Sequence, residues 1–570
     1  MRIAIHDKDR CQPKDCNYLC CRICPVNKTG GECITVSDET RKPEISEQLC
    51  TGCGICVRKC PFGAIRIINL PEALDEPVHQ FGVNGFRLFN LPTPRIGVTG
   101  IVGCNGIGKS TALKILAGEM QPNLGSDATW DDVVARFKGR EIQDYIKKLA
   151  EHRVKASFKP QYVEAIPRVV SGRVRDILKK TDERGALKTL TEELNLKNTL
   201  DKDIKAVSGG ELQKIAIVAC LGRDADIYLI DEPSSYLDVK ERLNVAKAIR
   251  EVKDKVIFVV EHDLVVLDYL SDNIHVIFGE TGAYGIISNI MGTRVGINEY
   301  LGGFLRSENM RFRDEIKFGI KPPASSRKTK PLVDYPELTK DYGQFQLTVE
   351  AGSIKTPQIL GILGPNATGK TTFMKMLAGT EKPDNTDINL ESRISYKPQY
   401  IHPIDDNVAS LHIKGELLTK FRITHLLEKK MTELSGGELQ RVAIADCLSR
   451  DADIYMLDEP SAYLDVEERL ALGKFLHAFG YDNKVSVIVI EHDILLIDYL
   501  SDELLVFQGE SGKNGKASKP MEMRQGMNNF LKQMNTTFRR DPESGRPRAN
   551  KIDSVKDREQ KASGEYYYGG

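Results

Sequence analysis

Leu457-Asp458-Glu459-Pro460-Ser461-Ala462-Tyr463-Leu464-Asp465 has a near copy earlier in the chain, Ile230-Asp231-Glu232-Pro233-Ser234-Ser235-Tyr236-Leu237-Asp238. The run Ile227–Ile230 is apolar enough for a buried strand, and it delivers two carboxylates at its end. In that setting Asp231 can hold Mg²⁺ through the water shell, and Glu232 can orient or deprotonate an attacking water. Asp458 and Glu459 repeat the arrangement. A single apolar run before Asp-Glu is often no more than a strand entering a solvated turn. Two copies 227 residues apart (Asp231 to Asp458), each with the same further motifs around it, point to phosphoryl transfer.

The surrounding motifs come in matched pairs. Gly103-Cys104-Asn105-Gly106-Ile107-Gly108-Lys109-Ser110 follows an apolar run, Ile96–Val102, and precedes a helical stretch, Thr111–Leu116. This is the context a P-loop needs: amides at the helix start cradle phosphates, Lys109 neutralises the β/γ oxygens and Ser110 binds Mg²⁺. The second copy, Gly364-Pro365-Asn366-Ala367-Thr368-Gly369-Lys370-Thr371-Thr372, follows Ile359–Leu363. Each copy then carries Lys-Pro-Gln-Tyr, at Gln161 and Gln399, and Ser-Gly-Gly-Glu-Leu-Gln. The latter places Ser208, Gly209 and Gly210, or Ser435, Gly436 and Gly437, at the positive end of an apolar helix, which suits a phosphate. An ordinary serine N-cap would explain either string alone, but both stand 23 residues before their aspartate. Downstream, Val259-Val260-Glu261-His262-Asp263 and Val489-Ile490-Glu491-His492-Asp493 end apolar strands, and His262 and His492 can each reach a γ-phosphate.

Composition narrows the class. At 570 residues several domains are expected. With 80 basic and 80 acidic residues, global charge gives no nucleic-acid footprint, so any basic patch is local. No apolar run approaches 18 residues, which excludes a helical membrane span, and MRIAIHDKDR lacks the apolar region of a signal peptide. The expected location is cytoplasmic. Ten of the 13 cysteines fall between Cys11 and Cys60, which in a reducing compartment reads as metal ligation.

Cys50-x2-Cys53-x2-Cys56-x3-Cys60-Pro61 has the spacing of a bacterial ferredoxin half-site. Its partner is the looser Cys11-x4-Cys16-x3-Cys20-x3-Cys24-Pro25. In this type of motif the cysteine before proline ligates the other cluster. Cys24 therefore joins Cys50, Cys53 and Cys56, while Cys60 joins Cys11, Cys16 and Cys20, giving two [4Fe-4S] clusters. Zinc is the alternative for CxxC pairs. Cys21 and Cys33 are read as non-ligands, with Cys21 able to compete with Cys20.

Together the paired motifs resemble the ATP-binding-cassette (ABC) ATPases over most of residues 75–510. The resemblance implies two cassettes facing head to tail, with each ATP between one P-loop and the other cassette's Ser-Gly-Gly signature. One site would take Lys109, Ser110, Gln161, Asp231, Glu232 and His262 with Ser435 and Gly437. The other would take Lys370, Thr371, Gln399, Asp458, Glu459 and His492 with Ser208 and Gly210. Glu232, Glu459, His262 and His492 would be catalytic. Gly103, Asn105, Gly106, Gly108, Thr111, Gly364, Asn366, Gly369 and Thr372 would line the nucleotide with Gly209 and Gly436. Ser110, Gln161, Thr371 and Gln399 would meet Mg²⁺. Phe86 and Tyr342 are candidates for adenine stacking.

With the cysteine region CxxCGICVRKCPFGAI ahead of two cassettes, and the FRRDP…RPR…N tail after them, the whole chain resembles the ABC-E family of ribosome-recycling ATPases. The expected fold is α/β: two P-loop domains in tandem behind a ferredoxin-like α+β iron–sulfur domain. The resemblance implies a monomer with intramolecular cassette pairing that binds the small ribosomal subunit, its rRNA and proteins, beside a release factor or Pelota-like protein. It also implies that ATP-driven closure splits ribosomes. Within that resemblance, the absence of long insertions of the eukaryotic kind points to an archaeal member. A rival class is an ATP-driven electron-transfer or iron–sulfur assembly protein.

Expected boundaries are 1–74 for the cluster domain, 75–292 and 332–515 for the cassettes, 293–331 for a hinge and 516–570 for a second hinge with a basic tail. Lys109 to Ser208 spans 99 residues, Lys370 to Ser435 only 65. The extra material, about 127–153, shows apolar residues at helical spacing on both sides of Gly139, which predicts a helix–turn–helix excursion, read as a partner-docking arm whose lysines and arginines suit RNA, with a packed surface insertion as the alternative. Residues 320–331 (IKPPASSRKTKP) read as a connector. Arg539–Lys561, with eight basic and five acidic residues, is a candidate phosphate-backbone contact, with a solvated tail as the alternative.

Overall fold

The computed structural model describes residues 2–69, 76–316, 318, 329–387 and 390–567. Most of the 320–331 connector and the first domain boundary lie outside them.

Each cassette is built on parallel strands whose side chains are buried on both faces, so they read as apolar runs with no alternation. In the second cassette, Ile394–Lys397, Ile454–Asp458, Ser486–Ile490, Gln358–Leu363 and Glu503–Gln508 lie side by side in that order, all parallel. The first cassette repeats this: Ala156–Lys159, Ile227–Asp231 and Val256–Val260 pair in parallel, and Gly97–Val102 pairs with Asn273–Glu280. Ile227–Asp231 and Ile454–Asp458 are buried along their whole length. P-loop, Glu-His-Asp and Asp-Glu motifs therefore end neighbouring strands on one sheet edge, where α/β proteins bind ligands.

The cassettes share a core. The cluster that includes Leu212, Ile217 and Leu267 of the first continues into Val466, Leu470, Ile494 and Leu495 of the second. A helix and a hairpin come after each cassette: Thr293–Gly302 with Phe304–Leu305 and Met310–Arg311, then Met523–Gln533 with Phe538–Arg540 and Pro547–Ala549. The second hairpin packs against Leu264–Leu270 of one cassette and Ile494–Leu500 of the other. There the expected phosphate-backbone contact of Arg539–Lys561 is corrected for its first half, Arg539–Arg548, while Lys551, Lys556 and Arg558 are exposed. Arg546 and Arg548 donate to Asp268, Arg540 to Asp498 and Arg539 to Asn550. Arg546 is fully buried. Asp268 and Asp498, on helices of the two cassettes, take up the charges of Arg540, Arg546 and Arg548, so the hairpin pins the cassette bases together.

The excursion holds two helices, Trp130–Arg136 and Gln143–Ala150, joined through Gly139 at φ 79°. Val133, Phe137, Ile142, Ile146 and Leu149 are buried in one cluster with Ala112, Ile115 and Leu116 of the P-loop helix. At about 1.5–3 kcal/mol per buried apolar side chain, this is a packed element. Its outer face exposes Lys138, Arg140, Lys147 and Lys148.

Residues 2–69 form a small domain: strand Arg2–His6 pairs with Ile65–Asn69 around short helices and the hairpin Ile34–Val36 with Pro43–Ile45. Half of its buried cluster is cysteine (Cys20, Cys24, Cys33, Cys56). It docks on the first cassette through Asn84, whose amide bonds Ile45 N and O at 2.7 and 2.9 Å. Arg66 adds bonds of 3.2 Å to the Thr281 carbonyl.

Candidate functional site

The two P-loops wrap their own lysines. Lys109 Nζ donates to the Gly103 and Cys104 carbonyls at 2.9 and 2.7 Å, and Lys370 Nζ to Gly364 and Pro365 at 2.9 and 2.6 Å. Gly108 and Gly369 turn into the following helix at φ 98° and 95°, in the left-handed region that favours glycine. A Cβ on Gly108 would stand 2.7 Å from the Phe86 ring, and one on Gly369 would stand 3.2 Å from Phe345. Phe345 is thus the counterpart of Phe86. Tyr342 instead matches Phe81, the outer ring of each pair.

The hydroxyl after each lysine meets the strand-end aspartate: Ser110 Oγ donates to Asp231 at 2.9 Å and Thr371 Oγ1 to Asp458 at 2.7 Å. Burial, and then Glu232 beside it, pushes Asp231 up to about 6. Asp458 Oδ1 is buried without a hydrogen-bond partner. A costly, unpaired carboxylate oxygen next to a hydroxyl fits a divalent cation.

Glu232 and Glu459 come next, with φ of 49° and 46°, a turn that non-glycine residues rarely adopt. Lys159 and Gln213 donate to the Glu232 carbonyl, and Lys397 and Gln440 to that of Glu459. Gln161 Nε2 donates to Glu232 Oε1 at 2.7 Å, and Gln399 to Glu459 at 2.9 Å. His262 Nε2 stands 3.4 Å from Glu232, and His492 Nε2 stands 3.3 Å from Glu459. Burial alone would raise the Glu232 carboxyl, but His262, Lys109 and Arg469 outweigh it and hold it below the usual range. Burial, and then Lys109, in turn lower the pKa of His262, against the opposing pull of Glu232.

Ser208 and Ser435 are true N-caps, each closing a capping box with Glu211 or Glu438. They also face the opposite cassette. A cavity of about 2640 Å³ between the cassettes is lined by Ser208 and Gly210 with Lys370 and Thr371, and by Ser435 and Gly437 with Asn105 and Gly106. A smaller one of about 270 Å³ joins Phe86, Lys109, Ser110 and Gln161. The pairing is sealed by two aspartates whose roles the sequence did not announce. The Asn105 amide donates to Asp465 at 2.8 Å and the Asn366 amide to Asp238 at 2.9 Å. Both close the repeated opening stretch, and that position was the available signal.

In the small domain, burial and then neighbouring Cys20, Cys60 and Cys16 push the Cys11 thiol up to about 11. Cys56 is likewise pushed up to about 11 by burial and then Cys50, with Cys53 also nearby. Cys33 lies against Cys24 and Cys50. The thiols thus lie close enough to act on one another, and Cys20 also acts on Cys56. The eight-thiol donor set fits iron–sulfur ligation. A mononuclear site needs several donors converging on one ion, and no such His, Cys, Asp or Glu group occurs among the described residues.

The "ABC transporter" family matches residues 89–235 and 347–462. The "Possible Fer4-like domain in RNase L inhibitor, RLI" matches 1–32, and the "4Fe-4S binding domain" matches 43–66. ABC transporter E family member 1 of Arabidopsis thaliana is 45% identical, covering 100% of this chain and 98% of its own length. The chain belongs to the ABC-E family. A solved structure of ribosome-bound archaeal Pelota and ABCE1 shares the fold at TM-score 0.93 and 52% identity, over 100% of this chain and 99% of that one. A complex of archaeal ribosomal stalk protein aP1 with the recycling factor aABCE1 matches at TM-score 0.83 and 53% identity, over 86% and 99%. This ABC-E chain is an ATPase with ATP-binding cassettes and an iron–sulfur-binding domain. Among the described residues no helix is long and apolar enough to cross a membrane.

Proposed function

We propose that this protein is an ATP-driven ribosome recycling factor. ATP bound between the cassettes closes them and splits the ribosome into subunits after termination or rescue, and the small subunit is then held until hydrolysis. The observation that carries this is the full-length match to ribosome-bound ABCE1, and the cavity between the cassettes, where each signature loop faces the opposite P-loop, supports it. The archaeal ABCE1 of that structure is bound beside Pelota, and the same class of partner, a release factor or Pelota-like protein, is proposed here with the small subunit's rRNA and proteins. The cytoplasm, where ribosomes work, is the matching location.

Lys109 and Lys370 bind the β/γ oxygens, and the signature serines Ser435 and Ser208 meet the same phosphates from across the interface. Ser110 and Gln161, and Thr371 and Gln399, with Asp231 and Asp458 behind them, would hold Mg²⁺, which neutralises charge on the transferring phosphoryl group. Glu232 and Glu459, kept ionised, accept the proton of the attacking water, while His262 and His492 orient the γ-phosphate. Two [4Fe-4S] clusters would take Cys11, Cys16, Cys20 and Cys60, and Cys24, Cys50, Cys53 and Cys56. Two ATPs can shift an open–closed equilibrium only by their differential affinity for the closed form.

The test is co-sedimentation with purified small ribosomal subunits. Binding with a non-hydrolysable ATP analogue and little with ADP is expected. Equal or absent binding in both states, with clusters and ATPase intact, would overturn the reading.

A further inference from the structure

Two half-buried arginines line the cavity between the cassettes, and their bonds run to neither P-loop nor signature residues. Arg242 and Arg469 stand four residues after Asp238 and Asp465, the aspartates that reach the opposite P-loops. Each turns back on its own loop: Arg242 Nε donates to the Leu237 carbonyl and Arg469 Nε to Leu464, both at 2.8 Å. Each also holds the aspartate next to the histidine of its own cassette. Arg242 meets Asp263 at 2.8 Å and Arg469 meets Asp493 at 3.2 Å. These aspartates in turn cap the next helix, Asp263 accepting from Val265 and Val266 and Asp493 from Leu496.

The contact across the interface sets the pair apart. Arg242 Nη1 lies 3.4 Å from the His492 carbonyl of the other cassette. Arg469 lies in the field of Glu232, His262, Glu261 and Asp263, all of the first cassette. Asp263 and Asp493 also face each other. Arg242 therefore touches three things at once: the loop that serves the Lys370 site, the histidine segment of the Lys109 site, and the histidine segment of the Lys370 site. Arg469 is placed to mirror it. Glu261 and Glu491 bind each histidine segment to its Asp-Glu turn, accepting from the Ser234 and His262 amides and from the Ser461 and His492 amides. A shift at one histidine then has a short, hydrogen-bonded route to the other. A guanidinium suits this because its planar fork serves several acceptors at fixed angles, which an ammonium cannot do.

We propose that Arg242 and Arg469 are positioning residues that couple the two composite ATP sites, each linking its own histidine segment to that of the opposite cassette. The inference rests on Glu232 and Glu459 carrying hydrolysis at their respective sites.

Steady-state turnover tests it in the full-length protein. With Glu232→Gln the remaining turnover comes from the Glu459 site, and with Glu459→Gln it comes from the Glu232 site. The parent rate divided by the sum of these two rates is a coupling factor. It should depart from one in the parent and return to about one when the same three rates are measured with Arg242→Met and Arg469→Met added, following double-mutant logic. Arg242→Lys with Arg469→Lys should fall between, keeping charge but losing the fork. KM should move less than kcat, because the bonds of both arginines run to the aspartate loops and histidine segments and to no P-loop or signature residue. A merely structural role would lower melting temperature and all rates together and leave the factor unchanged. A factor of one in the parent, or one that survives both the Met and the Lys variants, overturns the proposal. If the Met variants fail to fold, the Lys variants decide. If Glu232→Gln with Glu459→Gln still turns over ATP at the parent rate, the hydrolysis assignment has failed instead, which is a separate result.

Discussion

The two cassettes present the same chemistry in different mechanical surroundings. Hydroxyl to aspartate is 2.9 Å in the first and 2.7 Å in the second, glutamine to glutamate 2.7 and 2.9 Å, histidine to glutamate 3.4 and 3.3 Å. The Lys109 site, however, is fastened to its neighbours. Its aromatic loop holds Asn84, clasped to the cysteine domain. Across the interface, Glu467 pairs with Arg313 of the first hinge at 2.9 Å. The equivalent position in the other half is Lys240, which is exposed. Duplication preserved the hydrolytic geometry, and asymmetry entered through the neighbours to which each site is tied.

If the sites are chemically equal, Glu232→Gln and Glu459→Gln should each lower turnover at their own site by about 10²–10⁴-fold and retain ATP through gel filtration. Unequal losses measured as single-site rates would break the equality, and unchanged turnover in both would remove the general-base role. The cysteine domain serves only one side of the comparison. Cys53→Ser should cut iron, measured per chain, to roughly half while the cassettes keep far more ATPase than either glutamate variant. Full iron retention would count against Cys53 as a ligand.

The hinge pair gives a smaller effect. Glu467→Lys removes one partner of a largely buried ion pair and should lower stability by about 1–3 kcal/mol in a denaturant titration, weakening the Lys109 site first. Lys240→Glu should change stability by no more than about 0.5 kcal/mol. Equal costs would erase the asymmetry. The smallest effect concerns the signature caps. Burial opposes ionisation of Glu211, but Lys202, the Ser208 amide and Thr199 hold its pKa at about 2. A lowered folded pKa means its contribution is full above about pH 4.5 and fades as pH falls toward 2. Because the group is partly exposed, that contribution is well under about 1 kcal/mol. Glu211→Gln should flatten this acid limb slightly. A steeper limb would contradict the sign.

Much of this was legible in sequence because strand-end motifs report on neighbouring atoms. Buried strands such as Ile227–Asp231 are apolar on both faces, and register fixes where the residues after each strand emerge. Legibility failed where the partner is distant in sequence. The first half of the basic tail resembles a phosphate contact in sequence because the buried Asp268 and Asp498 that neutralise Arg540, Arg546 and Arg548 lie on helices of the two cassettes. The aspartates Asp238 and Asp465 cap their own helices, which hides their second bond to the opposite P-loop. Tyr342 is a plausible partner for Phe86 in sequence, but the second aromatic loop is shorter, so the ring against Gly369 is Phe345.

Site-resolved nucleotide occupancy of the Ser435→Arg variant tests the head-to-tail account most directly. The account predicts that a photoreactive ATP analogue is lost from the P-loop holding Lys109 and retained at the one holding Lys370. Loss at Lys370 with retention at Lys109 would contradict it.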